Sequence, residues 1–195
     1  MRKKQKDIIS AACDEFERHG YSGTGMQAIA EAAGVSKRTL YRYYASKTAV
    51  FSAIISHLRH SAGIERCPQY ASDTPLREQL VDVVAAMLAH LNQAENIRLA
   101  RIIIAETAKS PELGSVLAEV TDFSGSLPFK WILAAMEDGR LRKGAPEKAL
   151  TYLAGLAKST AFLPRLLFCS PPLTDQEIQT LAQEQADFFL CHYGT

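Results

Sequence analysis

Long apolar runs are missing from this sequence. No stretch approaches the ~18 consecutive apolar residues that cross a bilayer, which excludes a helical membrane protein. Cysteine is scarce and scattered. Cys13, Cys67, Cys169 and Cys191 form no C-x-x-C pair and no Cys/His cluster at ligand spacing. Neither a disulfide framework nor a metal site is therefore expected, and isolated thiols fit a reducing compartment. There is also no glycine-rich phosphate loop and no local nucleophile–base arrangement. An enzyme is thus the weaker reading, with His90 and Glu106 ordinary ion-pair candidates, and no cofactor is expected. The opening Met-Arg-Lys-Lys-Gln-Lys-Asp has the charge of a signal peptide, but "DIISAACDEFERHG" puts acids where an apolar region belongs. A soluble, cytoplasmic protein is the expectation.

The most telling absence is local. Residues 33–47, "AGVSKRTLYRYYASK", hold four cations and three tyrosines but no acid. The overall composition hides this, because the formal net charge is only +1. Residues 1–60 carry ten Lys/Arg against five Asp/Glu, whereas the remainder carries twelve against sixteen. A basic front on an acidic body points to a polyanion partner for the front alone.

Strand-like alternation and internal repeats are absent too, and nearly every segment reads as helix. Ile8, Ile9, Ala12, Cys13 and Phe16 form a stripe at helical spacing, with Gly20 as an expected left-handed stop. Ser46 is placed to cap a helix carrying Val50, Phe51, Ile54, Ile55 and Leu58. After a connection over 61–73, Thr74-Pro75 reads as cap and first turn of the next helix. Further helices are expected over about 96–109, from Ser110-Pro111-Glu112 onward, from 146 to 168 and from 175 to 192, with a break between Ser124 and Pro128. Such a chain packs as an all-α bundle. The last two helices are apolar enough to supply an intermolecular seam as well as core, which favours a homodimer.

Residues 26–44, "MQAIAEAAGVSKRTLYRYY", fit a helix-turn-helix. Ala30 is small where two helices approach closely, with Ile29 and Ala33 facing the core. Gly34 tolerates the positive φ of the turn, and Val35 plugs the corner. Ser36 caps the second helix, and Leu40 and Tyr43 point back inward. Left on the outer face are Ser36, Lys37, Arg38, Thr39, Tyr41 and Arg42, all donors. The N-terminal end of a recognition helix reaches base edges, so Lys37, Arg38 and Thr39 are placed for readout. Tyr41, Tyr44 and Lys47 fall where the groove wall is sugar-phosphate. Arg42 fits either a solvated charge or a backbone contact.

On these residues, 5–55 resemble the DNA-binding domain of the TetR family of transcriptional regulators. "GYSGTGMQAIAEAAGVSKRTLYRYYASKTAV" is close to that family's Gly-Val-Ser-x-x-Thr-Leu-Tyr-x-Tyr-Phe-x-x-Lys signature. Two positions depart from it. Tyr44 replaces the usual phenylalanine, and Gly25 stands where a Ser or Thr normally caps the second helix and touches phosphate. Thr24 is intact and is the candidate to take over that contact. Downstream, "RIIIAETAKSPELGSVL" and "MEDGRLRKGAPEKALTYLAGL" are similar to segments of an AcrR-like branch.

The resemblance implies a helix-turn-helix domain over residues 1–50 and a ligand-binding, dimerising domain over 51–195. It also implies a homodimer that binds palindromic double-stranded operator DNA, most simply as a repressor released by a small-molecule effector. A sequence-indifferent DNA-binding protein without effector is the alternative. Candidate pocket lining comes from Leu88, Leu91, Leu99, Ile103, Phe123, Trp131, Ile132 and Phe162. Polar anchors among the apolar helices are His90, Arg98, Arg101, Glu106, Asp122 and Arg165.

Overall fold

A computed structural model describes residues 3–59, 67–120 and 124–195. Helices α1 (Lys3–Gly23), α2 (Met26–Ala32), α3 (Lys37–Tyr43) and α4 (Lys47–Arg59) come first. They are followed by α5 (Leu76–Leu91), α6 (Ala94–Lys109), α7 (Pro111–Val120) and α8 (Leu127–Glu137). The chain closes with α9 (Pro146–Ala157), a π-helical turn (Lys158–Phe162), α10 (Leu163–Phe168) and α11 (Asp175–Tyr193). Among the described residues the only β pairing is an isolated bridge between Leu141 and Gly194. The fold is all-helical, as the periodicity predicts.

The compact units do not follow chain order. The first comprises residues 1–59 together with 98–121, and the second 60–97 together with 122–195, so the division falls inside α6. In the first unit, Ile8, Ile9, Ala12, Cys13 and Phe16 of α1 are buried, as their spacing predicts. They share a core with Ile29, Ala30, Leu40, Val50, Phe51, Ile54 and Ile55, and with Leu99, Ile102, Ile103 and Leu113. Phe16, Tyr21 and Phe51 form an aromatic group with ring centroids 5.4 to 6.3 Å apart. Arg98 joins this unit to its own α1 through ion pairs with Asp14 and with Glu17 at 2.8 Å.

In the second unit α5 packs along α11, and Leu80, Val83, Val84 and Leu88 meet Trp131, Ile132, Leu153, Ala182 and Phe189. Arg77 forks onto Asp187 at 2.6 and 2.8 Å. Gln79 is buried and fully used, bonding Ala71 on both its amide and carbonyl and also the Thr74 carbonyl. This changes the expected start of α5. Pro75, not Thr74, is the N-cap, and no side chain caps it. The Thr74 carbonyl is instead held by Gln79 and by Arg140.

The helix expected over 146–168 is not regular α throughout. Pro164 lacks an N–H and its ring crowds the carbonyl four residues back, so the ladder widens ahead of it. Leu163 donates to Lys158, a five-residue step. Downstream, Thr174 and Glu177 form a reciprocal capping box at the start of α11.

Candidate nucleic-acid interface

The turn between α2 and α3 is built from backbone bonds that a single glycine permits. Gly34 has φ +63°, its N–H donates to the Glu31 carbonyl at 3.0 Å, and Val35 N–H donates to the Ala30 carbonyl at 2.9 Å. That pair of bonds is the Schellman closure of a helix, and it requires the left-handed residue at this place. Ser36 then caps α3, its hydroxyl accepting from Thr39 N–H at 3.2 Å and lying 2.9 Å from the Thr39 hydroxyl. Leu40, fully buried, anchors α3 to the core.

This leaves Lys37, Arg38, Tyr41 and Arg42 exposed on α3, with no acid in its first turn. Tyr41 is 45% exposed, high for a tyrosine in a packed helix. The Arg42 guanidinium lies 5.4 Å from the Tyr43 ring centroid. Tyr43 is half-buried against the core and Thr39 half-buried beside its cap.

Three of the sequence-predicted contacts are placed elsewhere. Tyr44, expected at the sugar-phosphate wall, is only 8% exposed and packs into the core. Burial, and then the neighbouring Tyr43, raise its phenol pKa. The residue is extended at the C-cap of α3, and that turn swings its ring inward. Thr24, the candidate substitute for the absent cap, is 2% exposed. Its hydroxyl faces the carbonyls of Gly20 at 2.8 Å and Glu15 at 3.1 Å, so it ties α2 to α1. Lys47 donates to the carbonyls of Tyr21 at 2.5 Å and Thr24 at 2.7 Å, and its ammonium lies 4.4 Å from the Tyr21 ring centroid. Burial lowers its pKa.

Gly20 differs from expectation as well. Its φ of +69° comes with ψ of 168°, which is not the left-handed helical region but one open essentially to glycine alone. The break turns the Tyr21 N–H to the Glu106 carboxylate at 2.9 Å, and Lys109 reaches the same carboxylate at 2.8 Å. The ion pair of Glu106 with Lys109 is local, three residues along one helix, whereas nothing in the sequence links Glu106 to Tyr21.

The residues of the expected small-molecule lining are divided between the two units. Leu99 and Ile103 belong to the core of the first unit, and Leu88, Trp131 and Ile132 to that of the second. Leu91 packs at the edge of the latter and Phe162 is half-buried, while Phe123 and Asp122 lie outside the described residues. Of the polar anchors, Arg98 and Glu106 hold the partners above. Arg165 donates to the Asn92 carbonyl, and Asn96 donates to the His90 carbonyl at 2.6 Å. Arg101 is exposed. Surface depressions of about 450 and 320 Å³ both border Arg77, and none of the expected lining residues borders either.

A basic, acid-free helix presented by a tight glycine turn defines a helix-turn-helix DNA-binding protein. Residues 8–54 match the family model of bacterial regulatory proteins of the tetR family, and 78–195 match the C-terminal domain of AefR-like transcriptional repressors. A crystal structure of a TetR family transcriptional regulator from Pseudomonas syringae pv. tomato superimposes with a TM-score of 0.84 at 32% identity, covering 100% of this chain and 98% of that one. The flavonoid-responsive regulator FrrA gives a TM-score of 0.76 at 28% identity, covering 98% and 97%. Over 55 residues the chain is 46% identical to the HTH-type transcriptional regulator RutR of Escherichia coli K12, covering 28% of this chain and 26% of RutR. The match thus spans about a quarter of that curated relative. The chain belongs to the TetR family of transcriptional regulators. Membership implies DNA binding and dimerisation, and it sets the chain among regulators rather than enzymes. Among the described residues no helix is long and apolar enough to cross a membrane.

Proposed function

We propose that this chain is a ligand-responsive, sequence-specific transcriptional repressor, acting in the cytoplasm as a homodimer on palindromic operator DNA. The observation that carries the reading is the outer face of α3: Lys37, Arg38, Tyr41 and Arg42 exposed together with no carboxylate among them. Lys37 and Arg38, at the start of α3, read base edges with help from Thr39. Ser36, Tyr41 and Arg42 take the phosphate backbone. Two copies of α3, related by the dimer axis, enter successive major grooves about 34–36 Å apart. An apolar surface supports the dimer: Tyr152, Leu163, Leu167, Phe168 and Phe188 are exposed on α9, α10 and α11.

In this reading residues 1–50 address DNA, and 51–195 dimerise and bind the effector. A small organic molecule bound around Leu88, Leu91, Trp131 and Phe162 favours a conformer in which the spacing of the two α3 copies is wrong. That a relative of the same fold is described as flavonoid-responsive supports a small-molecule effector. A sequence-indifferent DNA-binding protein is the competing reading, favoured only by the basic N-terminal region.

Selection of bound duplexes from a random pool, followed by measurement of the ratio between selected and scrambled DNA, tests the proposal. A ratio in the range of about 10³–10⁷ is expected, and one near ten would favour the sequence-indifferent reading. On the selected duplex, Arg38→Ala should change the preferred base at its position, at a cost of about 1–3 kcal/mol. Tyr41→Phe should weaken selected and scrambled DNA by the same factor. An unchanged base preference in the Arg38 variant would remove that residue from readout.

A further inference from the structure

The junction of α1 and α2 is held by Thr24 from within and by side chains from elsewhere in the first unit. Gly25, the N-cap of α2, supplies no side-chain cap, and α1 has no basic residue in its last turn. An ammonium cannot accept from the α2 amides, so the first deficit stands, but the second is met by Lys47. It is the first residue of α4, where a cation opposes the positive end of the helix dipole. Its ammonium turns away and reaches the carbonyls of Tyr21 and Thr24, which flank the end of α1 and the start of α2. A cation at the carbonyl end of a helix is the favourable arrangement, supplied here from another helix. Thr48, next in α4, sets its hydroxyl 3.0 Å from that of Tyr21. From the other side, Glu106 holds the Tyr21 amide.

We infer that Lys47 is a positioning residue of the DNA interface: it fixes the entry of α2, and through it α3, and does not neutralise a DNA phosphate. Two of its donors are spent on carbonyls within the first unit, and leaving them for a phosphate would strand the Thr24 carbonyl and leave the Tyr21 carbonyl with the Thr24 amide alone at 3.3 Å. Glu106 completes the clamp by holding Tyr21, the residue Lys47 grips. The geometry stands on its own; only the DNA half of the test rests on the function proposed above.

The test compares the full-length chain with its Lys47→Met variant, and with Lys47→Gln, whose amide retains a donor for one carbonyl. Without DNA, amide hydrogen exchange over residues 24–32 should quicken roughly tenfold in Lys47→Met and less in Lys47→Gln, while the buried amides of α5 and α11 keep their rates. Unchanged exchange over 24–32, or an equal rise throughout the chain, would overturn the inference. With a scrambled duplex and with the selected one, affinity should fall while the slope of log K against log salt stays that of the wild type. A slope shallower by about 0.9 for each lysine lost would show a phosphate contact and overturn it equally. Because the exchange measurement contains no DNA, a wild-type chain that bound no duplex would refute the function proposed above and leave that measurement decisive for Lys47.

Discussion

Single residues in the first unit carry obligations that reach well beyond their neighbours. Gly20 allows a backbone turn closed to other residues, and the amide it redirects lands on a buried carboxylate. Burial alone would raise the pKa of Glu106, yet the Lys109 ammonium and the Tyr21 amide hold it below the ordinary value. A depressed carboxylate stabilises the fold above its unfolded pKa and loses that contribution as pH falls through the folded one. Wild type should therefore be more stable than Glu106→Gln well above pH 4.5, the ordinary glutamate value, and the two should converge as pH falls below it. Thermal unfolding across that range checks this; a gap that persisted undiminished in acid would mean that the carboxylate charge is not what holds Tyr21.

At the scale of the element, α3 is only seven residues long and cannot persist on propensity. Its start depends on the Ser36 hydroxyl and its position on Leu40. Ser36→Ala should cost about 1 kcal/mol, read from the urea midpoint, because the Thr39 amide loses its acceptor. An unchanged midpoint would mean that water serves as well. The helix-turn-helix was legible for a physical reason: each of its signals is local, with a glycine at the turn, a hydroxyl at the cap and apolar residues at fixed spacing. Lys47 and the core around Tyr44 are settled by residues elsewhere in the chain, and spacing carries no trace of a lysine bonding two carbonyls over twenty residues back. Thr24 turns to carbonyls four and nine residues back because the chain breaks at Gly20. The π-helical turn had a visible cause in Pro164, but the apolar periodicity runs on across it and masks the extra residue. The pocket was least legible, since a buried leucine that lines a ligand has the same spacing as one that fills a core.

For the whole molecule, the exposed apolar residues near the C-terminal end are what the proposed dimer seam rests on. Phe168 and Phe188 are 75% and 68% exposed, far beyond what a solvated surface favours for phenylalanine. Replacing both with glutamate should leave the helical content intact and turn the dimer into monomers by sedimentation. A dimer that survived would move the seam to another face. The interleaving of the two units has a practical result for anyone wishing to transplant the DNA-reading head. Residues 1–59 cut out alone would leave behind Leu99, Ile102, Ile103 and Leu113, which complete their core, along with the Glu106 that holds Tyr21. The head is a module in space but not along the chain. A hybrid regulator must therefore carry 98–121 with it, or re-match those side chains in the recipient, because a junction drawn at the end of α4 leaves the core of the head incomplete.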